Sequence, residues 1–191
     1  MIKYPTSNKV YQQKPISTKN RGMAFEALID QSNTYYLENS IAVIHKKPTP
    51  IQIVKVDYPA RQLAKITEAY YKTPSTTDYN GIYKGHYIDF DVKETRSKTA
   101  FPLKNIHPHQ IKHLKNVHQQ QGFAFILIAF KTRNTFHLLP YHKLEFYLNR
   151  ATKGRKSITY EEIKADSYTI QEGYRPPIDY LKAIDRWLED I

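Results

Sequence analysis

The sequence predicts an α/β domain. Three observations carry that expectation. Segments with helical and strand periods alternate along the chain. The run Phe123–Phe130 is apolar at every position, as a central strand covered on both faces must be. Residues 86–93 alternate apolar and polar side chains with the two-residue period of a strand that has one face in the core.

Taken in order, residues 1–19 are polar and basic, carry Pro5 and Pro15 and show no apolar period, so a mobile arm is expected there. A single domain is expected over 20–191. Asn20 is placed to cap a first helix whose apolar positions Phe25, Leu28, Ile29, Tyr36 and Leu37 follow helical spacing. Ile41, Ala42, Val43 and Ile44 read as a strand. Pro48 and Pro50 exclude a helix just after it, because each removes a donor and restrains its predecessor. Ile51, Ile53 and Val56 continue in extended form, and a weak helix is expected over 62–71. Lys84-Gly85 forms the turn of a hairpin between 79–83 and 86–93. In its second strand Ile88, Phe90 and Val92 face the core, and Tyr87, Asp89, Asp91 and Lys93 face the other way. Pro108 suits the first turn of a helix with Ile111, Leu114 and Val117 on one stripe, closed by Gly122. After the apolar run come a strand over 135–139, a helix over 141–149 and a short helix opened by a Thr159/Glu162 capping box. Pro176-Pro177 precedes a last amphipathic helix with Leu181, Ile184, Trp187 and Leu188.

Charge points to the partner. Lys and Arg number 29 against 18 Asp and Glu, a net +11 with a pI near 9.6, which attracts a polyanion and makes nucleic acid the leading candidate. No apolar run approaches the ~20 residues of a membrane-spanning helix. The first eight residues lack the apolar core of a secretory signal. With no cysteine, disulfides and thiolate metal sites are excluded, and a reducing cytoplasm is the expected compartment.

Phosphodiester hydrolysis needs a Lewis acid for the phosphoryl oxygens and an activated water. Magnesium is held by one or two carboxylates with waters and phosphate oxygens, and a nearby ammonium can stabilise developing charge. Asp78, separated by twelve residues from Asp91-Val92-Lys93, supplies that set with them: Asp78 opens the hairpin, and Asp91 and Lys93 share one face of its second strand. Asp89 lies on the same face as a candidate third ligand, or as a residue that orients a lysine. Glu94 points the other way, and Glu26 is expected on a solvated helix face. His107, His109, His113 and His118 would suit zinc only with further close ligands; surface or phosphate contact accounts for them better. Arg21, Lys46, Lys47, Lys55 and Arg61 are candidate phosphate contacts, and Tyr70 is a candidate for stacking on an unpaired base.

The strings Ser75-Thr76-Thr77-Asp78-Tyr79-Asn80-Gly81 and Tyr87-Ile88-Asp89-Phe90-Asp91-Val92-Lys93-Glu94-Thr95 resemble the RecU family of Holliday junction resolvases. So do Asn20-Arg21-Gly22-Met23, residues 45–54, Phe101-Pro102-Leu103 with His109-Gln110, and residues 154–158, so the resemblance spans nearly the whole chain. It implies a restriction-endonuclease-like core, a homodimer, and magnesium-dependent paired nicking of four-way junction DNA, with manganese able to substitute. Thr76, Asp78, Asp91 and Gln110 would form the metal site, and Lys93 would stabilise the transition state. Residues 46–72 would be a projecting stalk that enters the junction centre. A strand-exchange recombinase is a candidate second partner. Two departures stand out: the family usually has Glu where this chain has Asp91, and Thr77 replaces a frequent Pro. Rival readings are another nuclease of the same superfamily and a non-catalytic DNA-binding module.

Overall fold

The computed structural model describes residues 24–72 and 74–191. The basic arm, Asn20 and Arg21 lie outside the described residues. Within them, an α-helix opens the fold (α1, Phe25–Glu38), and its N-cap is Ala24, which makes no side-chain cap bond. That end is served instead by Glu94, whose carboxylate accepts the Phe25 N–H at 3.4 Å and places negative charge where the helix dipole favours it.

A six-stranded mixed sheet forms the centre of the α/β domain that the sequence predicts. Its strands are β1 (Val43–Lys46), β4 (Tyr79–Tyr83), β5 (His86–Thr95), β7 (Phe123–Phe130), β8 (Thr135–Pro140) and β10 (Tyr168–Ile170), hydrogen-bonded in that order. Only β5 and β7 run parallel; every other pairing is antiparallel. The β4–β5 hairpin turns at Lys84 and Gly85, both at positive φ (49° and 80°), the backbone that a type I′ turn requires. Gly81 is where β1 crosses closest: a Cβ there would sit 2.1 Å from the carbonyl oxygen of Val43.

Side-chain alternation divides the core in two. On one face Ile88, Phe90, Phe125 and Leu127 pack with Leu28, Ile29 and Tyr36 of α1 and with Ile184 and Trp187 of α5 (Leu181–Glu189). On the other, Ala124, Ile126, Ile128 and Phe130 pack with α2 (Pro108–Gln119), α3 (Tyr141–Ala151) and α4 (Tyr160–Asp166) through Leu114, Leu144, Tyr147 and Ile163. β7 is buried along its whole length, which is why its sequence shows no polar position. The Thr159/Glu162 capping box forms at the start of α4, and Arg150 clamps Glu162 from α3 at 2.6 Å. No helix of the described residues is long and apolar enough to cross a membrane.

The expected helix over 62–71 is not formed. Instead β2 (Ile51–Asp57) and β3 (Lys65–Tyr71) pair antiparallel as a ribbon, with a register break between Ile53 and Val56 and a short 3-10 turn at Arg61–Leu63. β3 carries the β-branched Ile66 and Thr67 and the aromatic Tyr70 and Tyr71, which suit a strand once β2 offers a partner. All residues of both strands are exposed. Three short strands were beyond the reach of periodicity: β10, and the pair β6 (Ala100–Pro102) and β9 (Ser157–Thr159), which forms a small separate sheet.

Candidate active site

The second face of β5 brings Asp89, Asp91 and Lys93 under helix α2. Beside them in the sheet β7 offers only apolar side chains, so the carboxylates stand at the margin of the core rather than in open water. Gln110 meets Asp91 and His113 meets Asp89, so α2 runs antiparallel to β5, one helical turn matching one strand repeat. This follows from the parallel β5–β7 pairing: the chain must leave the sheet and return, and α2 is the crossing.

Asp91 is fully buried. Its Oδ1 lies 2.6 Å from the Lys93 Nζ and accepts from no other group, while Oδ2 accepts a short bond from the Gln110 amide. Burial pushes the Asp91 carboxyl up to about 6, the Asp78 charge pushes the same way, and Lys93 opposes both. Asp78 stands half-buried in the segment that enters β4, within electrostatic reach of Asp91 and of His109. His109 is held below the usual imidazole range by burial first, then by His107 and Lys93. Two carboxylates and an ammonium therefore gather at one place, with an excess of negative charge that one lysine does not offset. A divalent cation would relieve it.

Asp78 and Asp91 could hold such a cation between them; among the described residues no group of three His, Asp or Glu side chains is placed to hold one. Two carboxylates completed by water and phosphate oxygens is the way magnesium binds, and unlike a closed zinc site. The other two residues of the implied metal set are placed differently. The Thr76 hydroxyl donates to the Thr77 carbonyl at 3.2 Å. Gln110 reaches the site as a donor to Asp91, because its own Oε1 accepts the His107 N–H at 3.0 Å and closes the cap of α2. In this geometry Gln110 orients a carboxylate and offers no side-chain oxygen of its own.

Asp89 is not an open ligand. It is fully buried and bound by Thr77 Oγ1, Lys47 Nζ (2.8 Å), Tyr87 OH (2.8 Å) and His113 Nε2 (3.0 Å). Lys47, expected as a phosphate contact, is only partly exposed here, and its ammonium pairs with Asp89. Lys46 is exposed but paired with Glu26 at 2.6 Å and Asp30 at 3.3 Å. Lys55 and Tyr70 stand exposed on the ribbon, Tyr70 with its hydroxyl 2.7 Å from Glu68. Arg61 opens the 3-10 turn near the ribbon tip, and its side chain lies outside the described atoms. Sequence reasoning did not reach the Lys47–Asp89 pair or the closeness of His109 to Lys93. The available signal was that Asp89 shares the face of Asp91, and that His109 and His113 flank Gln110 on a helix.

A family profile described as "RecU: Recombination protein U" matches residues 20–186. A Staphylococcus aureus (strain JH9) protein named Holliday junction resolvase RecU is 56% identical over 171 residues, covering 89% of this chain and 82% of that one. A Staphylococcus epidermidis protein of the same name is 49% identical over 99% of this chain and 97% of its own. Among solved structures, the Archaeoglobus fulgidus Holliday junction resolvase Hjc overlays with a TM-score of 0.41 at 10% identity, covering 73% of this chain and 88% of that one, too loose a fit to bear weight. The profile covers most of the chain and the relatives are more than 30% identical over nearly all of it, so this chain belongs to the RecU family.

Proposed function

We propose that this chain is a magnesium-dependent endonuclease that resolves four-way DNA junctions by paired nicks in homologous recombination and repair. What carries the reading is the buried Asp91–Lys93 pair, with Asp78 in electrostatic reach at the entry to β4, in a chain of charge +11 whose named relatives are Holliday junction resolvases. A restriction-endonuclease-like core fits the mixed sheet with its central parallel pair and flanking helices.

Asp78 and Asp91 would hold the metal, magnesium or in its place manganese, which supplies Lewis-acid activation of the scissile phosphate and of a water. Gln110 fixes the rotamer of Asp91 by donating to Oδ2. Lys93, partly shielded from solvent, places its ammonium where negative charge grows on the phosphoryl oxygens, and costs no reorganisation as the reaction proceeds. Thr76 stays a proposed ligand from the family resemblance.

Resolution needs two symmetric cuts, and each chain has one such set, so an isologous homodimer is the working assembly. The ribbon supports both a dimer and a stalk. It exposes Ile51, Ile53, Val54, Val56, Leu63 and Ile66, a group of apolar side chains suited to a partner surface, together with Lys55 and Tyr70 for DNA. Residues 20–191 then form one nuclease domain with the stalk over 46–72. The protein works on chromosomal DNA in the cytoplasm, with a strand-exchange recombinase as a second partner.

The decisive experiment is cleavage of a labelled four-way junction with magnesium and with chelator. Asp78→Ala and Lys93→Ala should each lower the rate by about 100-fold or more, on the scale of losing one transition-state contact. Binding in chelator should be retained. Nicking by Asp78→Ala at the wild-type rate would refute the site, and cutting of plain duplex at a fixed sequence would favour a different nuclease.

A further inference from the structure

The buried charge pair Lys47–Asp89 has no role in the chemistry above, yet it ties together the segments that frame the site. Lys47 comes from the root of the ribbon, one residue past β1. Its Nζ lies 2.8 Å from Asp89 Oδ2 and 3.0 Å from Thr77 Oγ1, and its backbone N–H donates to the Asp78 carbonyl at 2.7 Å. Thr77, buried, donates its hydroxyl hydrogen bond to Asp89 Oδ1 while it accepts from Lys47, so both of its hydrogen-bonding directions are used. Asp78 is thereby held on its N-terminal side by a side-chain triad that includes Thr77, and on its C-terminal side by a main-chain bond to its own carbonyl. Tyr87 of β5 and His113 of α2 close the remaining approaches to Asp89. A fully buried carboxylate that collects four partners from four segments is costly to assemble and tolerates little displacement.

We propose that Lys47, Thr77 and Asp89 form a positioning clamp that sets Asp78 against Asp91 for the metal. The proposal rests on the reading of Asp78 as a metal ligand. Lys47 is then not a phosphate contact, and Asp89 is not a third ligand. Groups that orient metal ligands typically change affinity by about 10–100-fold when removed.

The test is calorimetric titration of Mn²⁺ into the DNA-free protein, with junction affinity measured separately in chelator across a range of salt. Thr77→Val keeps the side-chain shape and removes only the hydroxyl. It should weaken Mn²⁺ binding by about tenfold or more, with junction affinity and its salt slope unchanged, and Thr77→Ser should restore the wild-type value. Lys47→Met should act in the same direction; if it does not fold, Thr77→Val still decides. Wild-type Mn²⁺ affinity in Thr77→Val would overturn the clamp. So would a Lys47→Met protein that keeps its Mn²⁺ affinity but loses about one unit of salt slope, the mark of a phosphate contact. Asp78→Ala separates the two readings: unchanged Mn²⁺ binding there sinks the metal site itself, whereas its loss beside an unaffected Thr77→Val sinks only the clamp.

Discussion

At the scale of single residues, Asp91 carries the most information. Its carboxyl titrates near 6 in the fold against an ordinary 3.8, so the unfolded chain gives up this proton first as pH rises. Without metal, the stability it contributes is whole below the unfolded value and is lost as pH climbs through 6. By pH 8 the ionised, buried Asp91 costs on the order of 3 kcal/mol. Asp91→Asn removes that charge and keeps the shape. The metal-free variant should therefore melt several degrees above wild type at pH 8 and at about the same temperature at pH 4, as followed by circular dichroism. Equal melting temperatures at pH 8 would mean that Asp91 is not strained by its surroundings. That Asp91 and Lys93 share one face was legible in the sequence, because strand alternation alone assigns it, and in the structure the two side chains pair. Lys47 was not. Whether an ammonium faces solvent or a buried carboxylate is decided by which segment crosses above it, and no local pattern records that.

At the scale of elements, the hairpin and the α4 cap could be read directly, since Lys84-Gly85 and Thr159/Glu162 specify backbone geometry by local chemistry. The ribbon was half-read: β2 was expected to be extended, but 62–71 has no decisive period of its own and becomes a strand only by pairing with it. β6, β9 and β10 span three residues each, too few for alternation to show. The least obvious requirement is Gly81. Its missing side chain lets β1 approach β4, and the obstacle to any Cβ is backbone, which cannot rotate away. Gly81→Ala should cost about 1–3 kcal/mol, the range for forced overpacking, and lower the melting temperature by about 5 °C. Since β1 leads directly into Lys47, the same variant should also bind Mn²⁺ more weakly. A wild-type melting curve would show that the outer strand gives way freely.

At the scale of the whole molecule, charge and the ribbon act together. A surplus of eleven positive charges makes junction binding steeply salt-dependent, because each neutralised phosphate releases counterions. That force does not distinguish a junction from a duplex; shape must. Gln52 and Tyr70 are paired across the ribbon, so replacing residues 53–69 with Asn-Gly joins them by a tight turn and leaves the six-stranded sheet intact. The shortened protein should keep its Mn²⁺ affinity but bind junction and duplex about equally at matched salt in a mobility-shift assay. A retained preference for the junction would place recognition elsewhere.

The crossing between β5 and β7 gives the two halves of this enzyme unequal freedom to change. Asp78 and Asp91 each adjoin the end pair of the hairpin, Tyr79 with Phe90, and Gln110 arrives only if the stretch from 96 to 107 keeps its length, so insertions there would mis-seat the helix over the carboxylates. The ribbon tip around 58–64 is exposed at every side chain described there. Residues can be added, removed or recharged there without disturbing the carboxylates, so on the stalk proposal target choice is open to drift and redesign while the proposed cutting chemistry stays fixed.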